Sequence, residues 1–233
     1  MNPWLTRFLA VALLIGLSAP PAMAACNAAP GPGVDWKKCD KTKLDFSGVD
    51  LKGAMMQSAD LSRSDFADAD LSGADLTEAT LAKARLAGAK VIGANLSKAM
   101  FDRANLKGAD FSNSTLEKTE FHRADLSNAR FTGSNLDKAE FGRAVLSGAD
   151  LSGANLHAAY LARADIRGAN FSGADLSDTD FYRADLRGAD LSQAKQLEQG
   201  QLDSTCGDET TKLPAGLTPP PAWPCASAEL EDE

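Results

Sequence analysis

Residue types that commonly carry catalysis or bind metals are scarce in this chain. Among 233 residues there are two histidines, His122 and His157, and four cysteines. A general base or a metal site needs such groups to converge on one point. The repeat described below assigns the two histidines to different columns and different coils, so we interpret them as exposed turn residues.

Carboxylates and serines are abundant, but both follow a regular repeat instead of forming an isolated cluster. No histidine is placed to activate a serine, and carboxylates that recur at every turn are not evidence of general acid and base chemistry. The predicted interior is filled by apolar side chains, which leaves no pocket for a substrate. The sequence therefore predicts a protein that is not an enzyme, with no catalytic residue, no cofactor and no metal.

One basic feature rises above this background. Cations recur every twenty residues, and we call this set the basic column: Arg63, Lys83, Arg103, Arg123, Arg143, Arg163 and Arg183. Stacked at strand spacing, neighbouring cations would repel by roughly 1 kcal/mol even in water. One interpretation is a soluble charge ladder, because an acid follows two residues after several of them, as in Arg123-Ala124-Asp125. The other is a docking stripe for an anionic lipid head group, polysaccharide or protein face.

The four cysteines flank the repeat and none lies within it: Cys26, Cys39, Cys206 and Cys225. An even number in an exported chain favours disulfides. Pairing each local couple would close a short loop at either end, worth on the order of 3 kcal/mol. Zinc is the alternative, but there is no C-x-x-C pair and the two couples lie at opposite ends.

All of these residues are positioned by a repeat that runs from Phe46 to Leu191. A large apolar residue recurs at every fifth position, giving thirty consecutive units: eighteen centres are Leu, nine are Phe, and the others are Met56, Val91 and Ile166. Two residues before each centre the side chain is small. From Ala54 to Ala189 it is Ala at 23 of 28 positions, and the exceptions are Ser64, Ser114, Thr119, Ser134 and Thr179.

A period of five is incompatible with a helix or a straight strand. Positions five apart on an α-helix point about 140° apart, and in a strand they alternate between faces. Each unit must therefore bend. If the bend is about a right angle, four units close a coil of twenty residues, which is also the spacing of the basic column. Thirty units then give about 7.5 coils, roughly 36 Å long at the ~4.8 Å strand spacing.

Units such as Ala149-Asp150-Leu151-Ser152-Gly153 and Ala94-Asn95-Leu96-Ser97-Lys98 resemble the A(D/N)LXX signature of the pentapeptide repeat family. The resemblance covers about two thirds of the chain. It implies an all-β, right-handed quadrilateral β-helix with Leu and Phe stacked inside. It does not imply a single activity, because function does not follow from fold.

The flanks of the repeat suggest export. Residues 1–24 are typical of a signal peptide, with Arg7, a short apolar run and an A-x-A site ending at Ala24. We expect an N-terminal cap at 25–45, the β-helix at 46–193, a C-terminal cap at 194–226 and an acidic tail at 227–233. Because Met23-Ala24-Ala25-Cys26 resembles a weak lipobox, a lipoprotein anchored through Cys26 is the alternative. No transmembrane span is expected in the mature chain.

A solenoid exposes its last coils unless they are covered. Trp36 is the candidate lid at the N-terminal end. At the C-terminal end, a short helix over 198–206 would turn Leu197, Leu202 and Cys206 toward the final coil. Because both ends are expected to be capped, the sequence favours a monomer.

These features predict an exported, non-enzymatic solenoid, periplasmic or secreted, that presents a ladder surface to a protein or an anionic envelope component. The resemblance also suggests an alternative, because some family members bind DNA gyrase by mimicking duplex DNA. Mimicry needs a strongly negative rod. The net charge is −8, but Lys41 to Lys195 contains 20 basic against 22 acidic residues. The rod is therefore close to neutral, and no nucleic acid is expected as a partner.

Overall fold

The repeat forms coils that pair in register along the chain. The computed structural model describes residues 26–225. The residue before each apolar centre forms a parallel bridge with the residue twenty positions on, from Asp35↔Met55 to Asp175↔Lys195. This register places four five-residue units in each coil. The bridges begin before the apolar repeat, so residues 35–45, which we assigned to a cap, pair with the coils that follow them.

Each unit from Phe46 to Leu186 turns through a residue with a left-handed backbone, two positions after the centre. On two of the four faces this residue is usually glycine, as at Gly148 (φ 69°). On the other two faces it is usually charged, as at Arg123 (φ 57°) and Lys118 (φ 55°). A non-glycine residue in this region costs roughly 1 to 2 kcal/mol. The charged faces therefore carry side chains where glycine would fit the backbone better.

The Asp or Asn before each centre has a local structural role. At Asp125, for example, Oδ1 accepts hydrogen bonds from the Ser127 amide (3.2 Å) and the Ser127 hydroxyl (2.7 Å). This is an Asx turn, which stabilises the bend without help from neighbouring coils. At Asp45 the same pair of bonds, from the Ser47 hydroxyl first and its amide second, lowers the carboxyl pKa. The repeated Asp and Asn residues are thus explained by the turn.

The apolar centres fill the interior. Every centre from Leu51 to Leu191 is at most 1% exposed. Phe121 lies at the middle of a stack on one face, with its ring centroid 5.1 Å from Phe101 and 5.0 Å from Phe141. It also meets Phe111 and Phe131 edge to face at 6.1 Å. The core is therefore a set of side-chain columns that run along the axis.

The small positions are also buried, which explains why only Ala, Ser and Thr occupy them. The hydroxyl at Thr119 donates to the Leu96 carbonyl (2.8 Å), and the hydroxyl at Ser114 donates to the Val91 carbonyl (2.6 Å). A buried hydroxyl without a partner would cost about 1 to 3 kcal/mol. The exceptions to alanine are tolerated because each hydroxyl reaches a backbone acceptor.

The N-terminal end is closed by a disulfide and a buried tryptophan. Cys26 is bonded to Cys39, with Cα atoms 5.4 Å apart. Trp36, the candidate lid, is 0% exposed, and its ring centroid lies 5.0 Å from that of Phe46. Its indole N–H donates to the Ala28 carbonyl at 3.2 Å. Trp36 thus continues the aromatic column past the first unit of the apolar repeat.

The C-terminal end differs from the helix expected over 198–206. Helix α1 spans only Gln199–Leu202, and Leu202 is buried as expected. The helix ends early because Cys206 takes a bridge partner instead, pairing with Asp185. Lys212 forms a bridge with Asp190 in the same way. The Lys212 ammonium also lies 2.8 Å from the Asp190 carboxylate. This contact, together with hydrogen bonds from Ser192, lowers the pKa of Asp190 to about 2.

A second disulfide fastens the segment that folds back over the last coil. Cys206 is bonded to Cys225, with Cα atoms 5.6 Å apart. Between them, Trp223 donates its indole N–H to the Thr205 carbonyl (2.9 Å) and lies directly on Gly207, where a Cβ atom would meet the ring. Nowhere in residues 26–225 is a helix long and apolar enough to cross a bilayer. The predicted signal peptide and the predicted acidic tail lie outside the described residues.

Candidate binding face

The basic column occupies one turn position in successive coils. All seven residues have φ between 56° and 61°. Arg63, Lys83, Arg103, Arg123 and Arg143 are exposed, while Arg163 and Arg183 are half-buried. Because the turns repeat every coil, the cations form a line along the rod at roughly 4.8 Å intervals. We call this side, whose centres run from Leu61 to Phe181, the arginine face.

The acids expected to neutralise this column pair with other residues. Asp125 contacts Lys107 at 3.2 Å, and Asp165 and Asp185 bind Arg167 and Arg187. These acids lie beyond a corner of the coil and face the next side, where other cations are closer. Within the described part of the chain, no ion pair is seen for six column members: Arg63, Lys83, Arg103, Arg123, Arg163 and Arg183. The local charge ladder that we considered is therefore wrong for these pairs.

A second cationic line on a different face provides a comparison. Lys98, Lys118 and Lys138 occupy the same left-handed turn position in three successive coils. Each has an acidic partner: Lys98 contacts Glu78 (3.3 Å), Lys118 contacts Glu117 (3.2 Å), and Lys138 contacts Asp137 (3.4 Å). We call these three residues the lysine triplet. Cations in this turn can thus be paired locally, and the six column members named above differ from them.

A shallow groove runs beside the basic column. It has a volume of about 780 Å³. Small residues form its floor. We call this groove the basic groove, and its lining residues are Ala82, Lys83, Asp102, Arg103, His122, Arg123, Gly142, Arg143, Tyr160, Ala162, Arg163 and Tyr182. Five cations face it against the single carboxylate of Asp102. A further hollow of about 390 Å³ shares Ala82 and Lys83 and extends the line to Arg63 and Lys43.

The regular Asx turns are missing along this groove. On the arginine face, Asp60 and Asp180 cap their turns by accepting from the amides of Ser62 and Tyr182. Between them the same position holds five consecutive residues that are neither Asp nor Asn: Thr80, Met100, Glu120, Glu140 and Tyr160. In these five coils the turn therefore lacks the Asp or Asn side chain that forms the Asx turn elsewhere. Departures from a locally consistent pattern are expected at functional sites.

The middle of the groove contains a connected group of polar and aromatic side chains. His122 Nε2 lies 2.8 Å from a carboxylate oxygen of Glu140. A Cβ atom on Gly142 would lie 2.9 Å from His122 and 3.1 Å from Tyr160, so glycine lets both rings approach the floor. Burial, and then the neighbouring Glu140 and Asp102, raise the pKa of Glu120. The groove thus combines cations and aromatic rings with the carboxylate of Asp102, and Glu120 and Glu140 lie beside it as further hydrogen-bond acceptors.

The two histidines do not form a joint site. His157 lies on another face, where its Nδ1 is 2.6 Å from Asp137 and its Nε2 is 3.5 Å from Asp178. Within residues 26–225, no group of three or more His, Cys, Asp and Glu side chains could hold a metal ion. Sequence reasoning identified the basic column but missed the groove, the two tyrosines and the loss of the Asx turns. The run from Thr80 to Tyr160 was the available signal.

A parallel solenoid with four short units per coil and an apolar interior defines a class of repeat proteins in which each coil contacts only its neighbours. Family models for pentapeptide repeats match residues 45–82, 124–161 and 154–193, and a model for a pentapeptide repeat region matches residues 64–141. The chain belongs to the pentapeptide repeat family. The right-handed β-helix follows from that membership.

Solved structures with the same architecture have diverse descriptions. Trypsin-treated QnrB1, a plasmid-mediated fluoroquinolone resistance protein, aligns with a TM-score of 0.63 at 20% identity, over 73% of this chain and 90% of that one. HetL from the cyanobacterium Nostoc, involved in heterocyst differentiation regulation, aligns at 28% identity and a TM-score of 0.29, over 84% of this chain and 90% of HetL. A comparison with curated proteins found no match.

Proposed function

We propose that this chain is an exported, non-enzymatic binding solenoid that attaches to an anionic component of the cell envelope through its arginine face. Membership of the pentapeptide repeat family supports a binding role, since these proteins are generally structural or binding proteins. The apolar interior supports it further, because packed side-chain columns leave the outer faces as the surfaces for recognition. The solenoid would hold its cations at fixed intervals along one face.

The observation that carries this proposal is that six cations of the basic column, Arg143 not among them, have no ion pair within the described residues. By contrast, every lysine of the lysine triplet has an acidic partner. Six of the seven column residues are arginine, whose planar fork binds carboxylate and phosphate in a bidentate manner. Their left-handed backbone costs stability, and binding offers a reason for keeping them there. An anionic partner would supply the missing counter-charges.

A pair of charge-reversed variants tests the role of the face. We expect Arg123→Glu, Arg143→Glu and Arg163→Glu, made together, to weaken retention on an anionic matrix at least about tenfold, because three attractive contacts become repulsive. The matched control reverses Lys98, Lys118 and Lys138, which occupy the same turn position and change the net charge equally. Retention on sulfated dextran and on isolated envelopes is measured, with melting curves to establish that both variants fold.

The comparison between the two variants shows whether retention depends on the arginine face or only on net charge. The arginine variant should lose retention while the lysine variant keeps most of it, since only the arginine face would make the contact. Equal losses from both variants would show that net charge alone governs retention. That result would contradict a dedicated binding face.

Export is the second part of the proposal, and its support comes from the two disulfides and the sequence of residues 1–24. Disulfides persist in oxidising compartments. We expect the protein from envelope fractions of its host to begin at Ala25, with a mass four hydrogens below that of the reduced chain. Intact mass without reduction measures both at once. Acyl chains on Cys26 would make the protein a lipoprotein and contradict the first disulfide, and an uncleaved, reduced cytosolic chain would contradict export.

Gyrase binding by mimicry of DNA is the alternative, and the similarity to QnrB1 gives it only fold-level support. A mimic of DNA must present a negative surface. The basic column lies along the rod over seven consecutive coils and presents the opposite charge. We therefore favour an anionic partner for this face.

A further inference from the structure

The basic groove is built for more than a generic polyanion, because aromatic rings and the carboxylate of Asp102 share it with the arginines, and Glu120 and Glu140 lie beside it. Glu120 and Glu140 are bridge partners on neighbouring coils, and Asp102 lines the groove itself. A ligand made only of closely spaced negative charges would make no hydrogen bond to these groups, because ionised carboxylates only accept. The groove therefore suits a ligand that alternates anionic groups with hydroxyl donors, which carboxylates can bind.

Both tyrosines of the chain lie in this one groove. The sequence contains two tyrosines, and Tyr160 and Tyr182 are 44% and 51% exposed. They lie in neighbouring coils on the arginine face. Exposed tyrosine rings offer flat apolar platforms with a polar hydroxyl at the edge. The faces of pyranose rings, which present C–H groups, are the polar ligands that pack well on such platforms.

The length and shape of the groove fit a linear chain. From Lys83 to Arg163 the cations cover five successive coils, a distance of roughly 19 Å at the ~4.8 Å spacing of strands. This spacing is close to the length of one sugar unit in an extended polysaccharide. Small residues, Ala82, Gly142 and Ala162, keep the floor open along this path. The volume of about 780 Å³ is large enough for a short run of sugar rings.

We propose that the basic groove binds a linear acidic polysaccharide, with uronate carboxylates on the arginines, sugar rings on Tyr160 and Tyr182, and sugar hydroxyls on the groove carboxylates. This inference rests on the proposed function and specifies its ligand. It assigns separate roles to the two sides of the groove. The arginines bind the carboxylate of each sugar, and the tyrosines favour chains built of sugar rings over other anionic chains.

The test compares ligands of equal length on the full mature chain. The probes are hexamers of galacturonate, mannuronate and guluronate, with hexaglutamate as an anionic chain that lacks sugar rings and maltohexaose as a neutral sugar. Affinities are measured by calorimetry at physiological ionic strength, because exposed charges bind too readily at low salt. We expect at least one hexauronate to bind about tenfold more tightly than hexaglutamate, and maltohexaose to bind far more weakly than either.

Variants separate the ring contacts from the charge. Tyr160→Ala with Tyr182→Ala leaves the charge unchanged and should weaken binding of the hexauronate about tenfold, with hexaglutamate affected less than threefold. Tyr160→Phe with Tyr182→Phe keeps the ring faces and serves as the matched control, with affinity within about threefold of the parent chain. Melting curves on both double variants show that the fold is retained.

The outcomes distinguish failure of this inference from failure of the proposed function. If hexaglutamate binds as tightly as every hexauronate, or if removing both tyrosine rings changes nothing, the polysaccharide assignment is overturned while the anionic binding face survives. If no anionic probe binds and the arginine reversal has no effect on envelope retention, both are overturned. A hexauronate preference that requires the rings and the arginines supports both.

Discussion

Replacing Phe121 by alanine should produce the largest loss of stability of any single change considered for this protein. Phe121 is fully buried and contacts four other phenylalanine rings, one above it, one below it and two from one other face of the coil. Truncating a buried phenylalanine costs about 3 to 5 kcal/mol, because the transfer free energy is lost and a cavity remains. A side-chain column cannot close this gap without pulling neighbouring coils out of register.

The same column supplies the control. Leu81 and Leu161 occupy the equivalent position in other coils, so Phe121→Leu places a residue that this site already accommodates. We expect it to cost less than about 1.5 kcal/mol. Denaturant midpoints and melting temperatures compare the two variants. Hydrogen exchange should show that the alanine variant loosens mainly the coils around 101–141, because each coil contacts only its neighbours. Equal stability of the alanine and leucine variants would contradict the stacked core.

Removal of the second disulfide, by Cys206→Ser with Cys225→Ser, should destabilise the C-terminal end by about 3 kcal/mol in the chain-entropy model for a loop of this size. The bridge from Cys206 to Asp185 remains, so the coil itself should persist. The segment that carries Trp223 loses its covalent tie, and its remaining anchors include the indole hydrogen bond to Thr205. We therefore expect this segment to open before the rod unfolds.

Limited proteolysis and melting curves measure this effect. Residues 207–225 should become sensitive to protease in the variant, and the melting temperature should fall. Cys26→Ser with Cys39→Ser is the matched control, since it opens a loop of similar size at the other end of the rod. It should leave residues 207–225 protected. Unchanged protection of that segment after loss of the Cys206–Cys225 bond would show that the disulfide does not hold the cap.

The repeat itself could be read from the sequence because one physical rule governs every unit. The five-residue period demanded a bend, and the twenty-residue spacing of the basic column indicated the register seen in the bridges. The apolar centres and the small residues are buried as expected. Helix α1 was placed in the right region but made too long, because the sequence could not show that Cys206 would pair with Asp185.

The site was harder to predict than the fold, because it depends on which side chains contact each other on adjacent faces of the coil. The acid in Arg123-Ala124-Asp125 is near in sequence, yet the structure turns Asp125 toward Lys107 on the next side. To predict the groove from the sequence, it was also necessary to know why Asp and Asn recur before each apolar centre. Once the Asx turn explains them, the absence of Asp or Asn at five coils becomes informative, and the exposed tyrosines gain a common location.

A map of backbone amide shifts during titration with a hexauronate tests most directly whether the arginine face is the binding surface. The account predicts shifts concentrated in the turns that line the basic groove, around His122, Gly142 and Ala162, with little change around the lysine triplet. Shifts centred on the lysine triplet, or spread evenly over all four faces, would contradict the account. An absence of any shift at saturating probe would contradict the assignment of an acidic polysaccharide as the ligand.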